Sequence, residues 1–339
     1  MIQQWLNMVV EGENLTRDDA VDAMNAIMSG ECTDAQIGAF LVALRMKGET
    51  VEEIAGFAQV MRDKATNVRP GPSEHSVVDT CGTGGDRKNT FNISTAAALV
   101  TAGAGVTVAK HGNRSVSSRS GSADVLAALG VNIEAGIPAV ERCLREAKVG
   151  FLFAPMMHAA MKYAIAPRRE IAIRTVFNIL GPLTNPAKAR CQVMGVYRKE
   201  LAPLMANVLK SLGSERCFVV HGYDGMDEIT ITDRTRVAEL ANGQVREFDL
   251  SPEDFGMEAA PLSDLLVDTP EESAGAIREI LEGARGARRD IVLLNAAAAV
   301  LASGAAADWP DALQRAGESI DSGRAKAALE TMARIASEG

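Results

Sequence analysis

Between a short apolar run at Val77-Val78 and a helix opening near Asn92 lies Asp79-Thr80-Cys81-Gly82-Thr83-Gly84-Gly85-Asp86, with three glycines in four residues. Glycine has no Cβ, so this loop turns sharply and lets backbone N–H groups come close to another molecule. Asn92-Ile93-Ser94-Thr95 then leads into an apolar stretch that reads as a helix. The unpaired N–H groups and positive dipole end of such a helix favour an anion. Strand, glycine loop and helix in succession form half of a βα unit, which implies a parallel sheet covered by helices. Taken alone the loop is also compatible with a plain tight turn. It is neither a dinucleotide G-x-G-x-x-G nor a Walker loop, because no Gly-Lys-Ser or Gly-Lys-Thr follows.

The same alternation recurs downstream. Strand-like runs at 76–79, 106–109, 151–154, 192–197 and 217–221 are separated by helical stretches. Asn242-Gly243 lies between alternating segments at 237–240 and 245–248, a hairpin signal. The first seventy residues differ. Thr16-Arg17-Asp18-Asp19, Thr33-Asp34-Ala35-Gln36 and Thr50-Val51-Glu52-Glu53 are three capping boxes, with Gly30 and Gly48 as matching helix stops. The expectation is an α/β protein: a small all-helical domain at 1–70 beside a larger α/β domain at 71–339 with a mainly parallel central sheet. Residues 67–72 read as the linker. The interval 158–186 is helical again, broken at Pro167 and Pro182, and is expected to complete the small domain.

Composition narrows the partners. Of 339 residues, 44 are Asp or Glu and 35 are Lys or Arg, a formal charge of −9. An acidic surface repels nucleic acid and anionic lipid, so neither is an expected partner, while a local basic pocket for a small anion remains allowed. Cys32, Cys81, Cys143, Cys191 and Cys217 are odd in number and lack C-x-x-C spacing, which argues against a disulfide framework. The alanine-rich run at 291–307 reads as a buried helix rather than a membrane span, and the N-terminus lacks signal-peptide character. The expected location is cytoplasmic.

A second polar cluster, Lys110-His111-Gly112-Asn113-Arg114-Ser115-Val116-Ser117-Ser118, follows the strand at 106–109, and Arg119-Ser120-Gly121-Ser122 leads on into a helix. Ligands bind beyond strand C-termini in open α/β sheets, and cations with hydroxyls suit phosphate oxygens. Asp227-Glu228 is an acidic pair in a turn-like segment. It is either a solvated turn or, with Asp86, a seat for Mg2+.

With Phe177-Asn178-Ile179-Leu180-Gly181-Pro182-Leu183-Thr184-Asn185-Pro186 and Gly225-Met226-Asp227-Glu228, these segments resemble, in order and over nearly the whole length, the anthranilate phosphoribosyltransferases. The resemblance implies a helical domain beside an α/β domain, a cleft between them, a homodimer and Mg2+, two ions being expected. It also implies the reaction: the anthranilate amine displaces pyrophosphate from phosphoribosyl pyrophosphate (PRPP), in the second step of tryptophan biosynthesis. Carried over by position, Gly82, Gly85, Asp86, Thr90, Asn92, Ile93, Ser94 and Thr95 match PRPP contacts. Lys110, His111, Gly112, Asn113, Arg114, Ser115, Val116, Ser117, Ser118 and Ser122 complete that envelope. Gly82, Asn113 and Arg168 match anthranilate contacts, with His111, His158 and Pro182 as neighbours; spacing to Arg174-Thr175 favours Arg168 over Arg169. Ser94, Asp227 and Glu228 match the metal position. No acid–base triad is legible. Two other readings stay open: a nucleoside phosphorylase on the same fold, and a non-catalytic relative that binds nucleic acid.

Overall fold

The structure is a computed structural model that describes residues 2–114 and 121–339. Four helices open the chain: α1 (Ile2–Val10), α2 (Arg17–Met28), α3 (Asp34–Lys47) and α4 (Val51–Lys64). The three capping boxes form as expected; the Glu53 N–H donates to Thr50 Oγ1 at 3.3 Å and the Thr50 N–H to Glu53 Oε2 at 2.8 Å. The helix α1 carries no cap signal, so only its buried face of Ile2, Trp5 and Val9 marks it.

Among the described residues seven strands follow: β1 (Val78–Gly82), β2 (Val108–Gly112), β3 (Val149–Phe153), β4 (Cys191–Gly195), β5 (Arg216–Gly222), β6 (Thr235–Ala241) and β7 (Gln244–Leu250). They form one sheet in the order β3-β2-β1-β4-β5-β6-β7. The first five are mutually parallel, and β6 and β7 run antiparallel. Asn242 and Gly243, both at positive φ (51° and 71°), make the β6–β7 turn. The strands β3 and β4 are buried along their whole length, the pattern of strands covered on both faces.

Two strands are placed later than the apolar runs suggest. The pairing of β1 with β4 continues to Gly82 opposite Gly195, and that of β2 with β3 continues to Gly112 opposite Phe153. Backbone register carries these strands through polar residues. Lys110, His111 and Gly112 are therefore strand residues, not a loop, and the side chains of Lys110 and His111 are buried. A second correction concerns Pro167: the helix Lys162–Ile171 runs through it. Proline forfeits the one bond to the Tyr163 carbonyl, and packing of this helix on α2 and α3 outweighs that loss. At Pro182 the chain does leave the α conformation, for a 3-10 turn.

Alternation along the strands feeds two cores. Val193, Phe218 and Val220 face the helices α5 (Ile93–Gly103), Ala287–Ala302 and Arg324–Ser337. Met194, Cys217 and Val219 face the other way, into an apolar cluster shared with the helix Leu201–Ser211 and with α1 to α4. The bundle and one face of the sheet thus share a single core.

Candidate active site

The mouth of the parallel strands is organised by Lys110. Its ammonium donates to the Thr80 carbonyl at 2.6 Å and to Ser94 Oγ at 3.1 Å. Burial lowers its pKa from the ordinary lysine value, opposed first by Asp79. Asn92 caps α5 by accepting from the Thr95 N–H at 3.1 Å, so the first turn of that helix faces the same region. Ile93 lies in the apolar core, which leaves only its backbone for a ligand. Thr95 is 1% exposed and its hydroxyl has no partner. Thr90 is bridged to Leu266, which ties down the far end of the glycine loop.

The acidic pair belongs to this mouth. Asp227 and Glu228 lie in the connection between β5 and β6, partly buried. The Gly84 N–H donates to Asp227 Oδ2 at 3.0 Å. A Cβ on Gly82 would lie 2.7 Å from that same oxygen, so glycine is required for the close approach. Burial and the adjacent Asp86 push Asp227 up to about 7. Burial and Asp227 push Glu228 well above the usual carboxylate range, and burial raises Asp86. Three carboxyls that resist ionising together, with the Ser94 hydroxyl nearby, are a donor set that a hard cation would relieve. Among the described residues no group of three or more His, Cys, Asp or Glu side chains is arranged to hold a metal ion.

Beside Lys110, the His111 N–H donates to Asp79 Oδ1 at 3.1 Å, and Asn185 Nδ2 donates to Asp79 Oδ2 at 2.8 Å. Burial holds Asp79 up to about 6. His111 Nδ1 lies 3.2 Å from the Gly181 carbonyl, which can only accept, so Nδ1 carries the proton. Nε2 of His111 is then the acceptor for Nε2–H of His158, 3.2 Å away. Burial depresses His111 to about 3 and His158 to about 4, so both rings are neutral at pH 7. Gln192 Nε2 fixes the carbonyl of buried Pro182 at 2.6 Å.

Arg168 sits on the helix Lys162–Ile171 with its guanidinium carbon 5.1 Å from the Phe177 ring centre, and burial lowers its pKa. Arg169, its neighbour, is exposed. Asn113 and Arg114 are exposed at the end of β2; Ser122 Oγ donates to the Asn113 carbonyl at 3.3 Å, and Arg114 pairs with Asp124 at 3.1 Å. Ser115, Val116, Ser117 and Ser118 lie outside the described residues. The structure thus gathers Gly82, Ser94, Lys110, Asp227 and Glu228 at one point and brings His111 against His158 and the Gly181 carbonyl, next to Pro182. Asp79, Asn185, Gln192 and Arg174 are not singled out by the sequence. All four lie inside or next to the quoted segments, but the bonds that join Asp79 to Asn185 and Arg174 to Gly85 span 106 and 89 residues.

Two family descriptions match: "Glycosyl transferase family, helical bundle domain" at residues 3–65 and "Glycosyl transferase family, a/b domain" at residues 74–326. The chain is 53% identical over 349 aligned positions to the anthranilate phosphoribosyltransferase of Syntrophotalea carbinolica, covering 99% of each. It is 55% identical to that of Moorella thermoacetica, covering 98% of this chain and 97% of the relative. Among solved structures, the Thermus thermophilus enzyme of the same name superposes with a TM-score of 0.92 at 41% identity, over 98% of this chain and 99% of that one. The Saccharomyces cerevisiae enzyme in complex with PRPP and Mg superposes with a TM-score of 0.88 at 30% identity, over 100% and 98% of the two chains.

Proposed function

The chain belongs to the anthranilate phosphoribosyltransferase family, and from that premise we infer that the C-terminal mouth of β1, β2, β4 and β5 is its active site. The activity is transfer of the phosphoribosyl group of PRPP to the anthranilate amine with release of pyrophosphate, the second step from chorismate towards tryptophan. One observation carries the placement: the Lys110 ammonium reaches both the strand leading into the glycine loop and the first turn of α5. Two anion-suited segments therefore meet at one cation, as a single sugar diphosphate requires.

In this reading the N–H groups of Gly85, Asp86 and the opening turn of α5, together with Lys110, hold the diphosphate. Asp227, Glu228 and Ser94, with Asp86, are the residues that would hold Mg2+, read here as two ions. When bound, Mg2+ offsets the negative charge that gathers on the departing pyrophosphate. Arg168 pairs its planar fork with the anthranilate carboxylate, with Asn113 as a further contact. Neutral His111, with both ring nitrogens engaged, is a packing and orienting surface rather than a base. The aromatic amine attacks ribose C1 as the bond to pyrophosphate oxygen breaks; the leaving group keeps the electron pair, and the amine loses its proton to solvent. An aromatic amine is nucleophilic when neutral, so positioning and charge stabilisation account for the rate.

The small domain is read as residues 1–70 completed by 158–186, with 71–339 otherwise forming the PRPP-binding domain. The molecule is read as a homodimer. An apolar groove of about 600 Å3 runs along α3 and the helix Lys162–Ile171, lined by Val10, Ala39, Val42, Met46 and Ile171. Met46 is 82% exposed there, a cost that a second copy would remove. Five cysteines without a disulfide suit the reducing cytoplasm. The test of function is the fluorescence of anthranilate, which should fall only when PRPP and Mg2+ are both present. No loss under those conditions, or phosphorolysis of a nucleoside instead, overturns the reading.

A further inference from the structure

Arg174 lies six residues beyond Arg168, on the stretch that joins the helix Lys162–Ile171 to Phe177. Its guanidinium spreads over the Tyr197 ring, 4.1 Å from the centroid, and donates from Nη2 to the Gly85 carbonyl. Among the described residues it has no carboxylate partner, so this cation is committed to a loop peptide and a ring. Gly85 stands at φ +83°, and a Cβ there would lie 2.5 Å from Nη2. The absence of a side chain at position 85 is what lets the guanidinium press against the loop.

The other loop residues are tethered from the sheet side. The Thr83 N–H donates to the Gly195 carbonyl at 2.9 Å, Thr83 Oγ1 accepts from the Tyr197 N–H at 3.2 Å, and the Gly84 N–H reaches Asp227. Among the described residues, Arg174 is the one that reaches the loop from the segment that carries Arg168. In a trans peptide the C=O and the next N–H point in opposite directions, so pinning the Gly85 carbonyl also fixes the direction of the Asp86 N–H. That N–H is one of the donors the loop offers an anion.

We propose that Arg174 is a positioning residue for the transfer: it ties the pyrophosphate loop, through the Gly85 carbonyl, to the segment bearing Arg168, so that filling either substrate site favours the other. The inference rests on the glycine loop seating PRPP and on Arg168 facing anthranilate. Such coupling is reciprocal by thermodynamic necessity.

The probe is inorganic pyrophosphate with Mg2+, titrated by calorimetry with and without anthranilate, a pair that cannot react forward. Anthranilate should tighten pyrophosphate binding by about fivefold in the unaltered protein. Arg174→Ala should abolish that gain and raise the KM for PRPP by about tenfold, the loss of one charge-assisted hydrogen bond, with kcat at saturation within about threefold. Arg174→Lys, which can reach the carbonyl but cannot lie flat on Tyr197, should fall between; it also serves if Arg174→Ala does not fold. A merely structural role would lower the melting temperature and the active fraction while leaving KM and coupling unchanged, and that result overturns the proposal. So does an unaltered protein without coupling. Failure of the unaltered protein to consume anthranilate with PRPP would instead strike the functional reading itself.

Discussion

The ammonium of Lys110 and the hydroxyl of Ser94 are 3.1 Å apart, which joins a buried residue of β2 to the first turn of α5. The same ammonium holds the Thr80 carbonyl of β1, so its loss unlinks two strands and a helix terminus at the point where the diphosphate is placed. Lys110→Met should lower kcat/KM for PRPP by roughly a hundredfold, about 2.7 kcal/mol of transition-state stabilisation. Anthranilate KM should move far less. Steady-state kinetics with each substrate varied in turn decides it; equal losses for both would remove Lys110 from the diphosphate side.

Arg168 and Arg169 are adjacent, yet only Arg168 is withdrawn from water against Phe177. Arg168→Ala should raise the anthranilate KM by about tenfold or more with kcat less affected, since a carboxylate pair is largely uniform binding. Arg169→Ala should leave both constants within about twofold. A large fall in kcat for Arg168→Ala at unchanged KM contradicts the binding role.

Asp227→Asn combined with Glu228→Gln keeps shape and removes two carboxyls that a cation would draw into their ionised form. The variant should need about tenfold or more additional Mg2+ for half-maximal turnover, while its melting temperature without Mg2+ holds or rises, because mutual repulsion with Asp86 is relieved. A Mg2+ titration of initial rates that superimposes on that of the unaltered protein would exclude the pair as metal ligands.

The buried histidines predict a pH signature. Histidine ordinarily titrates near 6.5, and here the folded values are about 3 for His111 and about 4 for His158. Between those limits the unfolded chain takes up protons that the folded chain refuses, so the stability they contribute is present above about 6.5 and drains away as pH falls towards 4. Asp79 and Asp227, raised to about 6 and about 7 in the folded chain, act in the opposite sense. The informative quantity is therefore the difference between the unaltered protein and His158→Phe. Relative to its own value at pH 7.5, the unaltered protein should lose more melting temperature by pH 4.5; parallel curves would show that the pair carries no such penalty.

Much of this architecture is written locally. The capping boxes at Thr16, Thr33 and Thr50, the Asn-Gly turn and the glycine loop are each determined within a few residues, and each appears where the residues place it. The strand limits are harder to read because Lys110 and His111 look polar in sequence, whereas in the sheet their backbone pairs with Phe151 and Leu152. The passage of a helix through Pro167 depends on tertiary packing that no local rule contains. Resemblance supplies the candidate contacts but not the network behind them. Asp79 with Asn185 and Arg174 with Gly85 join positions 106 and 89 residues apart, a relation that one chain read in order does not display.

The apolar seam that runs from α2 and α4 through the helix Leu201–Ser211 into β4, β5 and β6 has a mechanical corollary. The bundle is not an autonomous folding unit: cut away near residue 70, it would leave Met24, Phe40 and Phe57 in a cluster stripped of its floor. Heating should melt bundle and sheet together in one calorimetric peak. Any motion of the bundle against the sheet has to be a rocking about that greasy axle, never a detachment from it.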